Sequence, residues 1–121
     1  MVWCFKQAAF LLPVLTQMRR AGITGSAFSE IQEPQAIVVG PTRELVSQIH
    51  NEARKFAHGT MIRPVVVYGG VSTRYQVNEL QKGAHIVIGT PGRLLDVIEK
   101  RYVSTWHVAT SVFFYQISAI I

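Results

Sequence analysis

The sequence predicts a three-layer α/β fold on a parallel sheet, and three observations predict it. Short apolar runs of strand type stand at 36–40, 64–68 and 85–89. An amphipathic stretch with helical spacing follows each run, and the connections between them are short. Repeated strand–helix units of this kind give parallel strands, right-handed crossovers and helices on both sheet faces.

Residues 8–20 read as a first helix, with Ala9, Leu12 and Leu15 at helical spacing and Ala8, Leu11 and Met18 alongside. Pro13 should kink it or move its true start, and Gly22 and Gly25 should end it. A polar connection over 23–34 closes at Pro34. The run AIVVG then lacks polar alternation, which suggests burial on both faces. Thr42 can cap the second helix, whose stripe is Leu45, Ile49, Ala53 and Phe56, and Gly59 closes it. PVVVY is the second strand, broken by Gly69 and Gly70. A third helix over about 73–82 begins with Thr73 and Gln76 spaced as a capping box. Val77 and Leu80 face inward, and Gly83 ends the helix. HIVIG is the third strand. Thr90 caps the fourth helix, Pro91 occupies its first turn where a missing N–H costs nothing, and Leu94, Leu95 and Ile98 supply its buried side.

The chain has 121 residues, enough for one small domain, and its 49% hydrophobic content argues against disorder for most of it. The net charge of +5 permits a polyanionic partner without establishing one. A single cysteine, Cys4, excludes an internal disulfide and a cysteine metal cluster. The histidines at 50, 58, 85 and 107 have no partner at ligand spacing and read as structural. Every charged residue precedes Tyr102. The uncharged tail 102–121 reads as one or two β segments, with Val112 to Tyr115 the part expected to pair, rather than as a membrane-spanning helix. The apolar run from Ala8 to Leu15 fits a buried helix better than a targeting peptide.

Two motifs carry the candidate chemistry. Pro41-Thr42-Arg43-Glu44-Leu45 and Thr90-Pro91-Gly92-Arg93 each follow a strand and open a helix. Free N–H groups at a helix start attract phosphate, and the arginine adds charge. Arg43 opposes the helix dipole unless an anion binds there; the competing reading pairs it with Glu44 or another carboxylate. Gly69 and Gly70 form either a plain turn or a place where a ribose-phosphate chain approaches the backbone. All three segments should share the edge at the carboxyl ends of the strands, where open sheets bind ligands. Tyr68 reads as a core residue rather than a base-stacking one.

In this order and spacing, PTREL, the Gly pair and TPGR resemble the first RecA-like domain of the DEAD-box RNA helicases. The stretch from Ile31 to Gly70 resembles their Vasa subgroup in particular. The resemblance covers about residues 6–101 and implies an incomplete RecA-like domain there, with a divergent tail over 102–121. It implies RNA-backbone contact at Pro41, Thr42, Arg43, Gly69, Gly70, Thr90, Pro91, Gly92 and Arg93. It also implies ATP and magnesium as cofactors of the intact family and a cytoplasmic, perinuclear germ-granule location.

The chain departs from the family at both ends. Where the family carries a phosphate loop of the form TGSGKT, this sequence has Val2-Trp3-Cys4-Phe5-Lys6-Gln7. Only Lys6, the candidate nucleotide contact, survives. Trp3 and Phe5 cannot curl around phosphates as glycines do. No DEAD segment follows Arg101, and no second domain is present. The expectation is weak, sequence-independent binding to single-stranded or duplex RNA. No cofactor, ATPase, unwinding activity or membrane contact is expected of this chain alone. The alternatives are an inert truncated product and a decoy competing for helicase partner proteins. Missing flanking strands should also leave the fold poorly stable.

Overall fold

A computed structural model describes residues 2–22, 30–105, 108 and 110–113, excepting the side chains of 2–8 and 110–113. Described in chain order are α1 (Val2–Ala21), β1 (Ala36–Val39), α2 (Arg43–Ala57), β2 (Pro64–Val67), α3 (Thr73–Gln81), β3 (Ile86–Gly89), α4 (Pro91–Glu99) and β4 (Thr110–Phe113). The strands form one parallel sheet in the order β2-β3-β1-β4. The three expected strands are present, each one residue shorter than the sequence suggests. A fourth joins from the tail and pairs with β1, overlapping the expected segment at Val112 and Phe113. Gly25, Phe114 and Tyr115 lie outside the described residues.

Alternate residues of each strand feed two cores, because successive side chains point to opposite faces. Ala36, Val38, Ile86 and Ile88 pack with Leu11, Val14, Leu15 and Met18 of α1 and with Val46, Ile49 and Ala53 of α2. Ile37, Val39, Val65, Val67 and Val87 pack with Leu80 of α3 and with Leu94 and Val97 of α4. The layers are therefore α1 and α2, the sheet, and α3 and α4.

Helix α1 departs from its sequence reading in two ways. It runs unbroken through Pro13 and starts well before residue 8. Its buried face is Leu11, Val14, Leu15 and Met18, whereas Leu12 is 48% exposed. Ala9 and Pro13 both lie on the exposed side. Water can there take the carbonyl that the proline leaves without a donor, so the packed face carries the helix across. In α4, Leu94 is buried and Ile98 packs against the same core, as expected, but Val97 takes the place expected of Leu95, which is 58% exposed.

Strand β2 lies at one edge of the sheet. Arg63 and Val67 direct their carbonyls to His85 and Thr90 on the β3 side. By alternation, Pro64, Val66 and Tyr68 direct theirs outward. Helix side chains cap two of these three. His50 Nε2 lies 3.2 Å from the Pro64 carbonyl, a pairing that requires the Nε2–H tautomer. Gln76 Nε2 donates to the Tyr68 carbonyl at 2.9 Å. Below that edge, Arg63 donates to the Glu79 and Gly83 carbonyls at 2.7 and 2.6 Å and to the Glu79 carboxylate at 3.0 Å. These bonds fix the end of α3 against the start of β2.

Candidate nucleic-acid interface

Parallel register brings the candidate segments together. Val39, Gly89 and Val67 are aligned across β1, β3 and β2. Gly40 donates its N–H to the Gly89 carbonyl at 3.0 Å, and Thr90 donates to the Val67 carbonyl at 3.1 Å. Within two residues of this alignment come Pro41–Arg43 after β1, Thr90–Arg93 after β3 and Gly69–Gly70 after β2. All three segments leave the sheet at its carboxyl edge, as the strand order of the sequence predicts.

Close packing fixes this edge. An added β-carbon on Gly89 would lie 2.6 Å from the Val67 carbonyl oxygen and 2.6 Å from Val67 Cγ2. Only glycine allows the ends of β2 and β3 to approach this closely. Farther out, β-carbons on Gly69 or Gly92 would meet no atom within 4 Å. The exposed turns of the Gly pair and TPGR thus present open backbone.

Thr42 caps α2 with extended backbone, and its hydroxyl oxygen accepts the Leu45 N–H at 3.2 Å. This bond satisfies one of the N–H groups that a helix start leaves free. Arg43, the first residue of α2, forms no salt bridge among the described residues, so pairing with Glu44 does not account for it. Its guanidinium instead stands over the Tyr68 ring, 4.9 Å from the centroid. Gly70 adopts φ +83°, and its added β-carbon would lie 3.3 Å from Arg43 Nη1. PTREL and the Gly pair are therefore one surface.

Thr90 precedes α4 with extended backbone and Pro91 fills the first position, but the Thr90 hydroxyl makes no capping bond. Arg93 turns toward the start of α3, where it donates to the Thr73 hydroxyl and, at 3.4 Å, to the Val71 carbonyl. The capping box expected at Thr73 and Gln76 does not form. Ser72 is the cap residue, and its side chain makes no capping bond. The two residues are engaged elsewhere: Thr73 with Arg93, and Gln76 with the Tyr68 carbonyl.

Tyr68 has a double role. It packs against the α1–α2 core, as expected, and it also holds Arg43 by its ring face. Sequence reasoning missed the second contact. The register carried the signal, since Tyr68 is the first residue beyond the Val67–Gly89–Val39 alignment.

Lys6 lies in α1, and its side chain is outside the described residues. A helix leaves only its first four N–H groups free. With α1 starting at Val2, the N–H groups of Lys6 and Gln7 belong to the helical ladder. A continuous helix does not fit a triphosphate, which needs successive N–H groups turned inward by a loop. No group of His, Cys, Asp or Glu among the described residues could hold a metal ion. No described helix is long and apolar enough to cross a membrane.

His50 and His85 are structural, as their spacing suggests. Burial lowers the His50 pKa against the raising effect of the Pro64 hydrogen bond, and the Arg54 and Arg63 charges lower it further. Burial, then the charge of Arg63, lowers that of His85, whose Nδ1 accepts the Arg63 backbone N–H at 2.8 Å.

A sequence model of the DEAD/DEAH box helicases matches residues 6–114. This chain belongs to that family. It is 55% identical over 95 residues to the probable ATP-dependent RNA helicase DDX4 of Bos taurus, a match spanning 78% of this chain and 13% of the bovine protein. Identity to the ATP-dependent RNA helicase DDX4 of Mus musculus is also 55%, over 14% of that protein's length. The fold matches the yeast DEAD-box splicing factor Prp28 with a TM-score of 0.78 and 31% identity, over 89% of this chain and 25% of that one. The ADP-bound RNA helicase Prp28 of Chaetomium thermophilum matches with a TM-score of 0.74 and 39% identity, over the same shares. The α/β unit is thus a piece of a RecA-like helicase domain, with its parallel sheet and carboxyl-edge segments in family order.

Proposed function

We propose that this chain grips RNA through its sugar-phosphate backbone, weakly and without reading bases, and neither hydrolyses ATP nor unwinds duplexes by itself. The observation that carries this reading is the convergence of PTREL, the Gly pair and TPGR on one sheet edge, with Arg43 beside Gly70. Arg43 and Arg93 would supply charge. The N–H groups at the starts of α2 and α4 would supply donors, and Gly69, Gly70 and Gly92 would allow close approach. Thr42 and Thr90 set the two helix starts, and Pro91 fixes the entry to α4. Contacts of this kind position a strand but carry no sequence information. The misfit of α1 to a triphosphate supports the inactive reading, since phosphoryl transfer depends on positioning and charge. Likeness to the Vasa subgroup favours a cytoplasmic, germ-granule setting.

The test is anisotropy titration of single-stranded RNA with the chain and its Arg43→Ala and Arg93→Ala variants at several salt concentrations. Each arginine should contribute about three- to tenfold in affinity, for every base sequence alike. Each lost phosphate contact should flatten the log–log salt dependence by about 0.7. Variants that bind like the parent would assign binding to bulk positive charge, and no binding at low salt would leave an inert piece of a helicase.

A further inference from the structure

The two arginines share a support. We infer that the start of α3 braces both of them, with Tyr68 and Thr73 as positioning residues that hold Arg43 and Arg93 ready for phosphate. The inference rests on the proposed RNA-backbone reading of this edge. The Arg43 side is a chain of three residues. Gln76 is 4% exposed, and its Nε2 ties the Tyr68 carbonyl at 2.9 Å. Tyr68 is half-buried against the core, so its ring is a fixed platform rather than a mobile surface group. Arg43 lies over that ring at 4.9 Å. On the Arg93 side one contact suffices: Thr73, three residues before Gln76 on the same helix, accepts from Arg93 Nη1.

The two modes of support leave different parts of each guanidinium available. The ring contact holds Arg43 by charge rather than by a hydrogen bond, so it uses none of the five N–H donors. Arg93 commits two of its five donors, to Thr73 and Val71, and keeps the rest. An exposed arginine without support loses rotamer freedom when it binds, which costs affinity; one held in place beforehand loses less. Gly70 completes the Arg43 side. At 3.3 Å from Nη1, an added β-carbon would press on the guanidinium from the turn.

The experiment is a pair of double-mutant cycles on single-stranded RNA binding. Tyr68→Leu removes the π face and keeps apolar bulk, and Tyr68→Phe keeps the face. Thr73→Val keeps the shape and removes the accepting oxygen. Tyr68→Leu should weaken binding roughly two- to fivefold, the range of an exposed cation–π contact. Tyr68→Phe should bind like the parent, and Tyr68→Leu should cost nothing further once Arg43 is alanine. Thr73→Val should behave likewise toward Arg93→Ala. Urea midpoints of the same variants report any general loss of fold. Equal weakening by Tyr68→Leu with and without Arg43, or no weakening at all, would overturn the brace while leaving the RNA reading intact. Parent-like binding by Arg43→Ala would overturn both.

Discussion

Replacing Gly89 by alanine isolates the close approach that holds the candidate edge together. Gly89 has no left-handed backbone angle, so alanine suits its conformation and only space opposes it. The added β-carbon would meet the Val67 carbonyl oxygen at 2.6 Å, Val67 Cγ2 at 2.6 Å and Leu94 Cγ at 2.9 Å. Ordinary contact begins near 3.4 Å, so β2 and α4 would both have to retreat by roughly half an ångström or more. Overpacking of this kind costs about 1–3 kcal/mol. With a urea slope of about 2 kcal/mol per molar, the unfolding midpoint should fall by roughly 0.5–1.5 M. Gly92→Ala is the control. Its β-carbon would meet nothing within 4 Å, and alanine in a helix raises stability by about 0.4–1 kcal/mol. The two substitutions should therefore move the midpoint in opposite directions. A Gly89→Ala midpoint equal to the parent's would refute the packing argument, and a Gly92→Ala midpoint well below the parent's would refute the open turn.

Two further outcomes are expected. His50 and His85 have folded pKa values below the ordinary 6.5, so the unfolded chain takes up protons first on acidification. Their contribution to stability is complete above that value and is lost as pH falls through it toward the folded pKa. Urea midpoints should fall as pH drops through 6.5, and less so in His85→Asn, whose amide oxygen can still accept the Arg63 N–H; a flat profile in the parent would refute this. Calorimetric titration with ATP and magnesium should give no saturable signal, and micromolar binding lost in Lys6→Ala would reverse the reading of α1.

The middle of the fold was legible because its signals are local. Unalternating apolar runs mark strands buried on both faces, and the glycines at 59, 70 and 83 all take left-handed angles where the chain turns. The meeting of the candidate segments was equally legible, since parallel topology alone puts PTREL, the Gly pair and TPGR on one edge. What escaped was the destination of individual polar side chains. Thr73 and Gln76 have capping-box spacing, yet a guanidinium and a strand-end carbonyl from elsewhere in the chain compete for them. Spacing along a helix cannot register partners that arrive through the fold. The helical start of α1 was missed for a related reason, because the packed face from Leu11 to Met18 outweighs the local objection of Pro13.

The capped edge at β2 gives the sheet a direction of growth. Pro64 lacks an N–H, and His50 and Gln76 occupy the flanking outward carbonyls, so an incoming strand would find only the central part of that ladder open. The outer side of β4 has no paired strand among the described residues. Strand addition, whether by a neighbouring segment of a longer polypeptide or by a second molecule, therefore has one productive side. Copies that associate this way can meet β4 to β4 and stop, as a closed pair rather than a fibre, because both ends of the far edge of each are already capped.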